Sequence, residues 1–186
     1  MSTNEPMPTN ENNPSIPSLF DLSGRTAVVV GAGSGLGQAS AIGLADAGAH
    51  VVVADLNLAG AEETAELIAA RRTGAAAHGA ADGRSGAGSA SAVAVDITDT
   101  ASVDALVDAW ADAEVLVITP GANVRKRLTD TSDDEFDRVI DINLKGTYRL
   151  MRGFGREMGE RGRGSSVTYA SFRALAIEPG QGLYAA

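Results

Sequence analysis

The sequence VGAGSGLGQA, residues Val30 to Ala39, overlaps the end of the apolar run Thr26 to Val30 and decides the fold. Its glycines lie at positions 31, 33, 35 and 37. Glycine lets the backbone turn tightly and approach a phosphate without a Cβ clash, and the amides at a helix N-terminus attract negative charge. A glycine turn alone also occurs as a plain strand-to-helix connection. In this context it predicts a strand, a turn and a helix that bind a dinucleotide pyrophosphate.

A second strand indicates which dinucleotide is expected. Helix-forming residues from Leu36 to Ala47 lead to Gly48, and the apolar strand His50 to Ala54 ends in Asp55. A carboxylate at this spacing accepts hydrogen bonds from the adenosine ribose hydroxyls and repels a 2′-phosphate. No Lys or Arg lies within the glycine turn or just after Asp55 to bind such a phosphate. We therefore expect NAD, with NADP disfavoured.

Composition excludes several classes of function. The 186 residues are 44% hydrophobic, which suits one globular α/β domain, and the net charge of −9 opposes general binding to nucleic acid or to an anionic membrane. The chain has no cysteine, so disulfides and thiolate catalysis are excluded, and two histidines, His50 and His78, are too few for a convincing metal site. We expect no metal.

Two segments are expected to lie outside the packed domain, which we place at 20–186. Residues 1–19 are rich in Asn, Pro and Ser without a basic start or an apolar stretch, which predicts a disordered tail rather than a secretion signal, and hence a cytoplasmic protein. No apolar run approaches the roughly 20 residues needed to span a bilayer. Residues 73–91 are rich in Ala, Gly and Ser and predict a flexible surface insertion.

Strands and helices alternate along the rest of the chain. We predict a crossover helix over 59–72, a strand over 92–95, a helix over 100–111 and a strand over 115–118. The capping box Ser132 to Glu135 begins a helix through about Ile142, a second helical segment runs over 143–160, and a fifth strand runs over 166–170. This order predicts a doubly wound parallel sheet, with Asp55, Asp96, Gly121 and Ser171 at strand ends that share one cleft.

One basic cluster offers an alternative to a small-molecule site. Its cations recur at spacings of 3 to 5 residues, which favours a solvated helix face over a track for phosphates. The cluster comprises Lys145, Arg149, Arg152, Arg156, Arg161 and Arg163.

Several motifs in the same order resemble the short-chain dehydrogenase/reductase family, from Phe20 to Ala186. The Gly-x-x-x-Gly-x-Gly pattern falls on Gly31, Gly35 and Gly37, and the sequence NLKG begins at Asn143. Ser171 and Tyr184 are 13 residues apart, the spacing typical of this family. The surrounding sequence looks most like gluconate 5-dehydrogenase and 3-oxoacyl reductase members.

The resemblance implies a Rossmann-like fold, lacking the family's last strands here, and hydride transfer between a nicotinamide and a small alcohol or ketone. It implies catalytic roles for Asn143, Ser171 and Tyr184, with the tyrosine moving the hydroxyl proton. It also implies assembly as a dimer or tetramer, which the missing strands put in doubt. The dinucleotide contacts would come from Gly31, Gly33, Ser34, Gly35, Leu36, Gly37, Asp55, Asp96, Ile97 and Gly121.

The sequence departs from the family pattern at two places. The family has a lysine four residues after its tyrosine, a position beyond Ala186, and without that cation we expect severely impaired turnover of the chain as written. The family's Asn-Asn-Ala-Gly after the fourth strand reads Ile118-Thr119-Pro120-Gly121, so two bridging amides and one backbone donor are missing. Two alternatives therefore stay open: a catalytically silent NAD-binding module and an unstable truncated product.

The substrate is left open among sugar acids, polyols and 3-oxoacyl groups. Arg125, Lys126 and Arg127 follow the fourth strand, and Arg173 follows Ser171. These cations could form a rim that binds a substrate carboxylate, although surface solubility explains them more simply.

Overall fold

The computed structural model describes residues 19–77 and 88–185, without the side chains of 74–77. The predicted tail apart from Leu19, the middle of the predicted insertion and His78 lie outside these residues. Five parallel strands form one sheet in the order β3-β2-β1-β4-β5. The strands are β1 (Thr26–Val30), β2 (His50–Asp55), β3 (Ser89–Ala94), β4 (Val115–Ile118) and β5 (Ser165–Thr168).

Helices connect the strands and confirm the predicted alternation and the Rossmann-like α/β fold. The short 3₁₀ helices Leu128–Asp130 and Phe172–Ala174 and the π-helical segment Asp141–Gly146 complete the order. The α-helices are α1 (Gly35–Asp46), α2 (Leu58–Ala77), α3 (Thr100–Ala109), α4 (Asp133–Ile140), α5 (Thr147–Glu160) and α6 (Gly182–Ala185).

The core has two layers because successive residues of each central strand point to opposite faces of the sheet. Val28 and Val30 of β1 pack with helices α3 and α5, whose buried side chains include Leu106, Leu150 and Phe154. Val29 packs on the other face with α1 and α2. The central strands β1 and β2 are almost fully buried, which explains their nearly continuous valine content.

The predicted insertion is wrong at both of its ends. Helix α2 continues past Arg72 to Ala77, and β3 begins at Ser89 and ends at Ala94, where the sequence predicted a strand over 92–95. The alanines after Gly74 favour a helix strongly. The small Ser and Ala side chains of β3 lack the bulk that marks a strand in the sequence, but its backbone pairs with all six residues of β2. Main-chain pairing therefore forms this edge strand.

The helix that follows Ser132 begins as predicted. The Ser132 hydroxyl accepts a hydrogen bond from the Glu135 N–H, and the Glu135 carboxylate accepts one from the Ser132 N–H at 2.9 Å. Lys126 and these serine contacts hold the pKa of Glu135 below its usual value. The predicted helix end near Ile142 is wrong, because α4 ends at Ile140 and the chain then forms a π-helical segment before α5.

The cations of the basic cluster contact nearby oxygen atoms. Lys145 pairs with Asp141 at 3.0 Å, and Arg149 donates to the Ile97 carbonyl oxygen at 3.2 Å. Arg161 donates to the carbonyl oxygens of Ala111 and Ala113. These contacts occupy donors of the cluster within the chain, which supports the interpretation of a helix face over a track for phosphates.

The His50 ring packs against an aromatic side chain and contacts two serine hydroxyls. Its ring stacks on Trp110 with centroids 5.5 Å apart, and its two nitrogens lie 2.7 Å from the Ser89 hydroxyl and 3.3 Å from the Ser91 hydroxyl. Among the described residues, no cluster of three or more His, Asp or Glu side chains could hold a metal ion, and no helix there has the length and apolar character to cross a membrane.

We expect Leu150→Ala to lower the free energy of unfolding by about 2–5 kcal/mol, because Leu150 is 0% exposed between α5 and the sheet. The adjacent Met151 is 41% exposed, so Met151→Ala is the matched control and should cost less than about 1 kcal/mol. Urea unfolding followed by circular dichroism measures both values. Equal losses would contradict this account of the core.

Candidate active site

A cleft of about 620 Å³ opens at the carboxyl ends of β1, β2 and β4 and beyond the end of β3. Every residue of the expected dinucleotide set except Gly33 lines it. Seven further residues line it: Thr119 and Pro120 of the altered family pattern, and five that the sequence did not single out, which are Val30, Leu56, Val95, Thr98 and Ile142. None of the lining residues is Lys or Arg.

The glycine turn seats α1 directly on the end of β1. Gly31 has a φ of +79°, a conformation that L side chains rarely adopt, and a Cβ on Gly37 would overlap the carbonyl oxygen of Gly31. Gly35 has a φ of +55° and faces open space. Ser34 caps α1 in an extended conformation without a side-chain capping bond, so its hydroxyl leaves the first-turn amides to the cleft. This arrangement fits a pyrophosphate.

Asp55 is fixed at the edge of the turn by two main-chain donors. The Gly33 N–H donates to Asp55 Oδ2 at 2.8 Å, and the Asn57 N–H donates to Asp55 Oδ1 at 2.9 Å. A Cβ on Gly33 would lie only 2.9 Å from the Asp55 carboxyl carbon, so a larger residue at 33 would displace this carboxylate. Each carboxylate oxygen keeps a second lone pair for a ligand hydroxyl.

A buried threonine joins the turn to α2. Thr64 is 0% exposed, and its hydroxyl lies 2.9 Å from the Ala32 carbonyl oxygen and 3.0 Å from that of Gly60. Gln38 of α1 donates its side-chain N–H to the same hydroxyl at 2.9 Å. Because one hydroxyl contacts the turn and both helices, it limits their relative movement.

Asp96 lies just beyond β3 and also faces the cleft. Its Oδ1 accepts from the Thr98 hydroxyl at 2.7 Å and from the Thr98 N–H at 2.8 Å. These hydrogen bonds, with a smaller contribution from the Arg149 cation, hold the pKa of Asp96 below its usual value. The side chain is therefore ionised at neutral pH, and an acceptor at this place suits an amino group of the ligand.

Thr119 replaces part of the bridge that the amides of the family's Asn-Asn-Ala-Gly pattern would make after β4. Its hydroxyl lies 2.9 Å from the Val30 carbonyl oxygen and 3.2 Å from that of Gly31, so it bridges the end of β4 to the start of the glycine turn. The Thr119 N–H donates to Val30 as well, at 3.1 Å. The bridging side chain is shorter than asparagine, but a bridge at this position is present.

A second cavity of about 240 Å³ adjoins the cleft, since Pro120 and Gly121 line both. Asn143, Ser171 and Tyr184 line this cavity together. They come from the π-helical segment, the loop after β5 and helix α6, so the chain brings the three predicted catalytic residues to one place. The sequence did not single out Thr147, Thr168 and Tyr169, which add hydroxyl groups to the same lining.

Asn143 is held by main-chain groups on both sides of its amide. Its Oδ1 accepts from the Ala122 N–H at 2.7 Å, and its Nδ2 donates to the Ala122 carbonyl oxygen at 2.9 Å. The π-helical segment turns Asn143 towards the loop after β4, as such segments often do at functional sites. This side chain therefore ties α4 and α5 to the strand end that both cavities share.

Ser171 lies near the start of the loop that follows β5, and Tyr184 lies in α6, the short helix after that loop. The Ser171 hydroxyl accepts from the Arg173 N–H at 3.2 Å and caps the 3₁₀ helix Phe172–Ala174. Tyr184 is half-buried beside Leu183, which is 5% exposed and anchors α6. Serine and tyrosine hydroxyls that face one cavity can bind and protonate an oxygen atom of a small molecule.

The cations that could form a substrate-binding rim are partly paired with carboxylates. Glu178 pairs with Arg125 at 3.3 Å and also with Arg173, while Lys126 pairs with Glu135 at 2.6 Å. Neither cavity has a Lys or Arg among its lining residues. This geometry gives no support to recognition of a substrate carboxylate by these side chains.

The family model for short chain dehydrogenases matches residues 25–186. The chain belongs to the short-chain dehydrogenase/reductase family. Its relatives are oxidoreductases, and the parallel sheet and glycine turn are the family's NAD(P)-binding fold.

Two relatives act on sugar alcohols according to their names. A D-threitol dehydrogenase of Mycolicibacterium smegmatis is 33% identical over 156 residues, covering 82% of this chain and 54% of the enzyme. A sorbitol dehydrogenase of Cereibacter sphaeroides is 31% identical over 150 residues, covering 78% of this chain and 52% of the enzyme. The chain thus spans about half the length of these relatives.

A solved structure resembles the chain over nearly the whole described fold. The gluconate 5-dehydrogenase of Burkholderia cenocepacia, in complex with NADP and tartrate, matches with a TM-score of 0.72 and 28% identity, covering 89% of this chain and 61% of that one. Relatives of this fold therefore bind a nicotinamide dinucleotide.

We expect Thr119→Val to weaken NADH binding roughly fivefold, because one hydrogen bond to the glycine turn, of about 1 kcal/mol, is lost. Thr119→Ser keeps the hydroxyl and should restore most of the affinity. Thr129→Val, at an exposed threonine outside both cavities, is the control. Isothermal titration calorimetry measures the three dissociation constants, and equal affinity of Thr119→Val and wild type would exclude the bridge as a determinant of binding.

Proposed function

We propose that this chain carries the dinucleotide site and the proton-transfer residues of an NAD-dependent enzyme that interconverts a secondary alcohol and a ketone. The main support for this proposal is that the two cavities adjoin and have lining residues in common. Asn143, Ser171 and Tyr184 line a cavity that meets the dinucleotide cleft at Pro120 and Gly121. A substrate in the smaller cavity would therefore lie next to a cofactor in the larger one.

Nicotinamide, when bound, supplies the hydride acceptor or donor for this reaction. The residues of the chain supply binding and the proton. Ser171 donates a hydrogen bond to the substrate oxygen, and Tyr184 takes the hydroxyl proton during oxidation or returns it during reduction. Asn143 keeps the loop after β4 in place through Ala122. Loss of one proton and one hydride converts the alcohol to the ketone, which balances the reaction.

The charge of the cleft supports NAD as the cofactor. Asp55 and Asp96 both line it, and no cation among its lining residues could pair with a 2′-phosphate. The Burkholderia structure holds NADP, so relatives with this fold do not decide the preference. The carboxylate at Asp55 is the residue of this chain on which we base the assignment.

The lining of the smaller cavity favours an uncharged substrate. Its polar groups are hydroxyls and one amide, and the nearby arginines are paired with Glu178. Two relatives are dehydrogenases of the neutral polyols sorbitol and threitol. We therefore propose a neutral polyol or its ketone rather than a sugar acid or a 3-oxoacyl thioester.

We also propose an oligomeric state, a cellular location and a domain organisation for the enzyme. Phe136, Tyr148 and Met151 on α4 and α5 are 46%, 59% and 41% exposed, and apolar surface of this kind supports association into a homo-oligomer. We propose that the enzyme acts in the cytoplasm. We propose one dinucleotide-binding domain over 20–186.

We expect the wild-type chain to bind NADH at least about tenfold more tightly than NADPH, a difference of about 1.4 kcal/mol. Asp55→Asn removes the charge that repels the 2′-phosphate but keeps an acceptor for the Gly33 N–H, so the preference should shrink towards unity. Asp108→Asn, at an exposed carboxylate on α3 outside the cleft, should leave it unchanged. Titration of both nucleotides into each variant measures the ratio; an unchanged ratio in Asp55→Asn would overturn the assignment.

We expect Tyr184→Phe, made in the protein as its source produces it, to lower kcat about 100-fold or more while NADH binds as before, because the phenol moves a proton and lies outside the dinucleotide cleft. Tyr148→Phe, at an exposed tyrosine on α5, should keep full turnover. Initial rates on a panel of neutral polyols, sugar acids and ketones provide the comparison. Tight NADH binding by the wild type without turnover of any substrate would instead favour a silent binding module.

A further inference from the structure

The Glu178 carboxylate binds three side chains, which come from two segments of the chain. Arg125 reaches it from the segment after β4 at 3.3 Å, and Arg173 reaches it from the 3₁₀ helix after β5. Gln181 donates its side-chain N–H to Glu178 Oε2 at 3.0 Å and is only 6% exposed. Glu178 lines neither cavity.

Each of these partners lies close in sequence to a residue of the candidate active site. Arg173 is two residues after Ser171, and its N–H donates to the Ser171 hydroxyl. Gln181 precedes α6, and its carbonyl oxygen accepts from the Ala185 N–H, which places Tyr184 on the turn between them. Arg125 follows Ala122, the residue that Asn143 binds.

The Glu178 carboxylate thus links Arg125 of the segment after β4 to Arg173 of the loop after β5. The loop after β5 also lies close to the segment after β4 at Gly180, which has a φ of +80°: a Cβ added there would lie 3.6 Å from the Lys126 backbone. Charged hydrogen bonds are stronger than neutral ones of similar burial, and the Arg173 side chain is 21% exposed against 69% for Arg125.

We propose that Glu178 is a positioning residue: it fixes the segments that carry Ser171, Tyr184 and the Asn143-bound loop relative to one another. Its role in catalysis rests on the function proposed above, whereas its effect on the loops does not. Catalytic geometry depends steeply on position, because a displacement of about 1 Å can cost on the order of 100-fold in rate.

The chain contains a matched control for this carboxylate. Glu114 also binds two arginines, Arg25 at 3.1 Å and Arg163 at 3.5 Å, but at the opposite end of β4. Its side chain is 14% exposed, against 36% for Glu178. Glu114→Gln therefore removes a comparable pair of ionic contacts without touching either cavity.

Hydrogen exchange read by mass spectrometry tests the coupling without turnover. In Glu178→Gln we expect amide exchange to accelerate about tenfold or more in both 122–127 and 171–185, and to stay unchanged in the glycine turn. In Glu114→Gln neither segment should change. If Glu178→Gln does not fold, Arg125→Gln replaces it, because this variant removes only the Arg125–Glu178 ion pair. It should accelerate amide exchange in 122–127 and 171–185 together. Arg25→Gln, which removes the Arg25–Glu114 pair, is its control.

Steady-state kinetics test the consequence for catalysis. We expect Glu178→Gln to lower kcat about tenfold or more, with the NADH dissociation constant unchanged within about twofold. Glu114→Gln should keep kcat even if it lowers the melting temperature. Faster exchange confined to 171–185, or an unchanged kcat in Glu178→Gln, would overturn the proposal. If the wild type turns over no substrate, the proposed function fails, and exchange alone decides whether Glu178 joins the two segments.

Discussion

The contact between Gly37 and the carbonyl group of Gly31 is the constraint on which the rest of the site depends. No side chain fits at Gly37, so the first turn of α1 rests on the end of β1. That contact directs the amides of α1 into the cleft and places Gly33 within hydrogen-bond distance of Asp55. Thr119 and Thr64 then hold the turn from β4 and from α2. These contacts hold the turn without any ligand, and such preorganisation reduces the entropy lost on binding.

Two cavities with different chemical groups lie along the same edge of the sheet. Beyond β1 and β2 the cleft presents carboxylates and main-chain amides, whereas beyond β4 and β5 the smaller cavity presents hydroxyl groups and the amide of Asn143. Pro120 and Gly121 form the boundary. Parallel strands create this arrangement, since all their carboxyl ends meet at one edge and each following loop can contribute a different side chain.

Much of the fold could be predicted from local sequence, and the exceptions have physical causes. The valine runs of β1 and β2, the glycine turn and the capping box at Ser132 each depend on neighbouring residues, so the sequence reveals them. The sequence does not reveal the start of β3 at Ser89, because the Ser and Ala residues of this strand are held by main-chain pairing with β2, a partner distant in sequence. The π-helical segment was missed because its residues follow ordinary helical periodicity. The hydroxyl bridge at Thr119 and the carboxylate at Glu178 act across 88 and 53 residues, and no local pattern reports such contacts.

The most direct test of the central claim is the formation of NADH by the native protein from its source, supplied with NAD and a neutral polyol such as sorbitol or threitol. We expect NADH formation that depends on the polyol and is much slower with NADP in place of NAD. Binding of NAD with no NADH formed from any polyol, sugar acid or other secondary alcohol would contradict it.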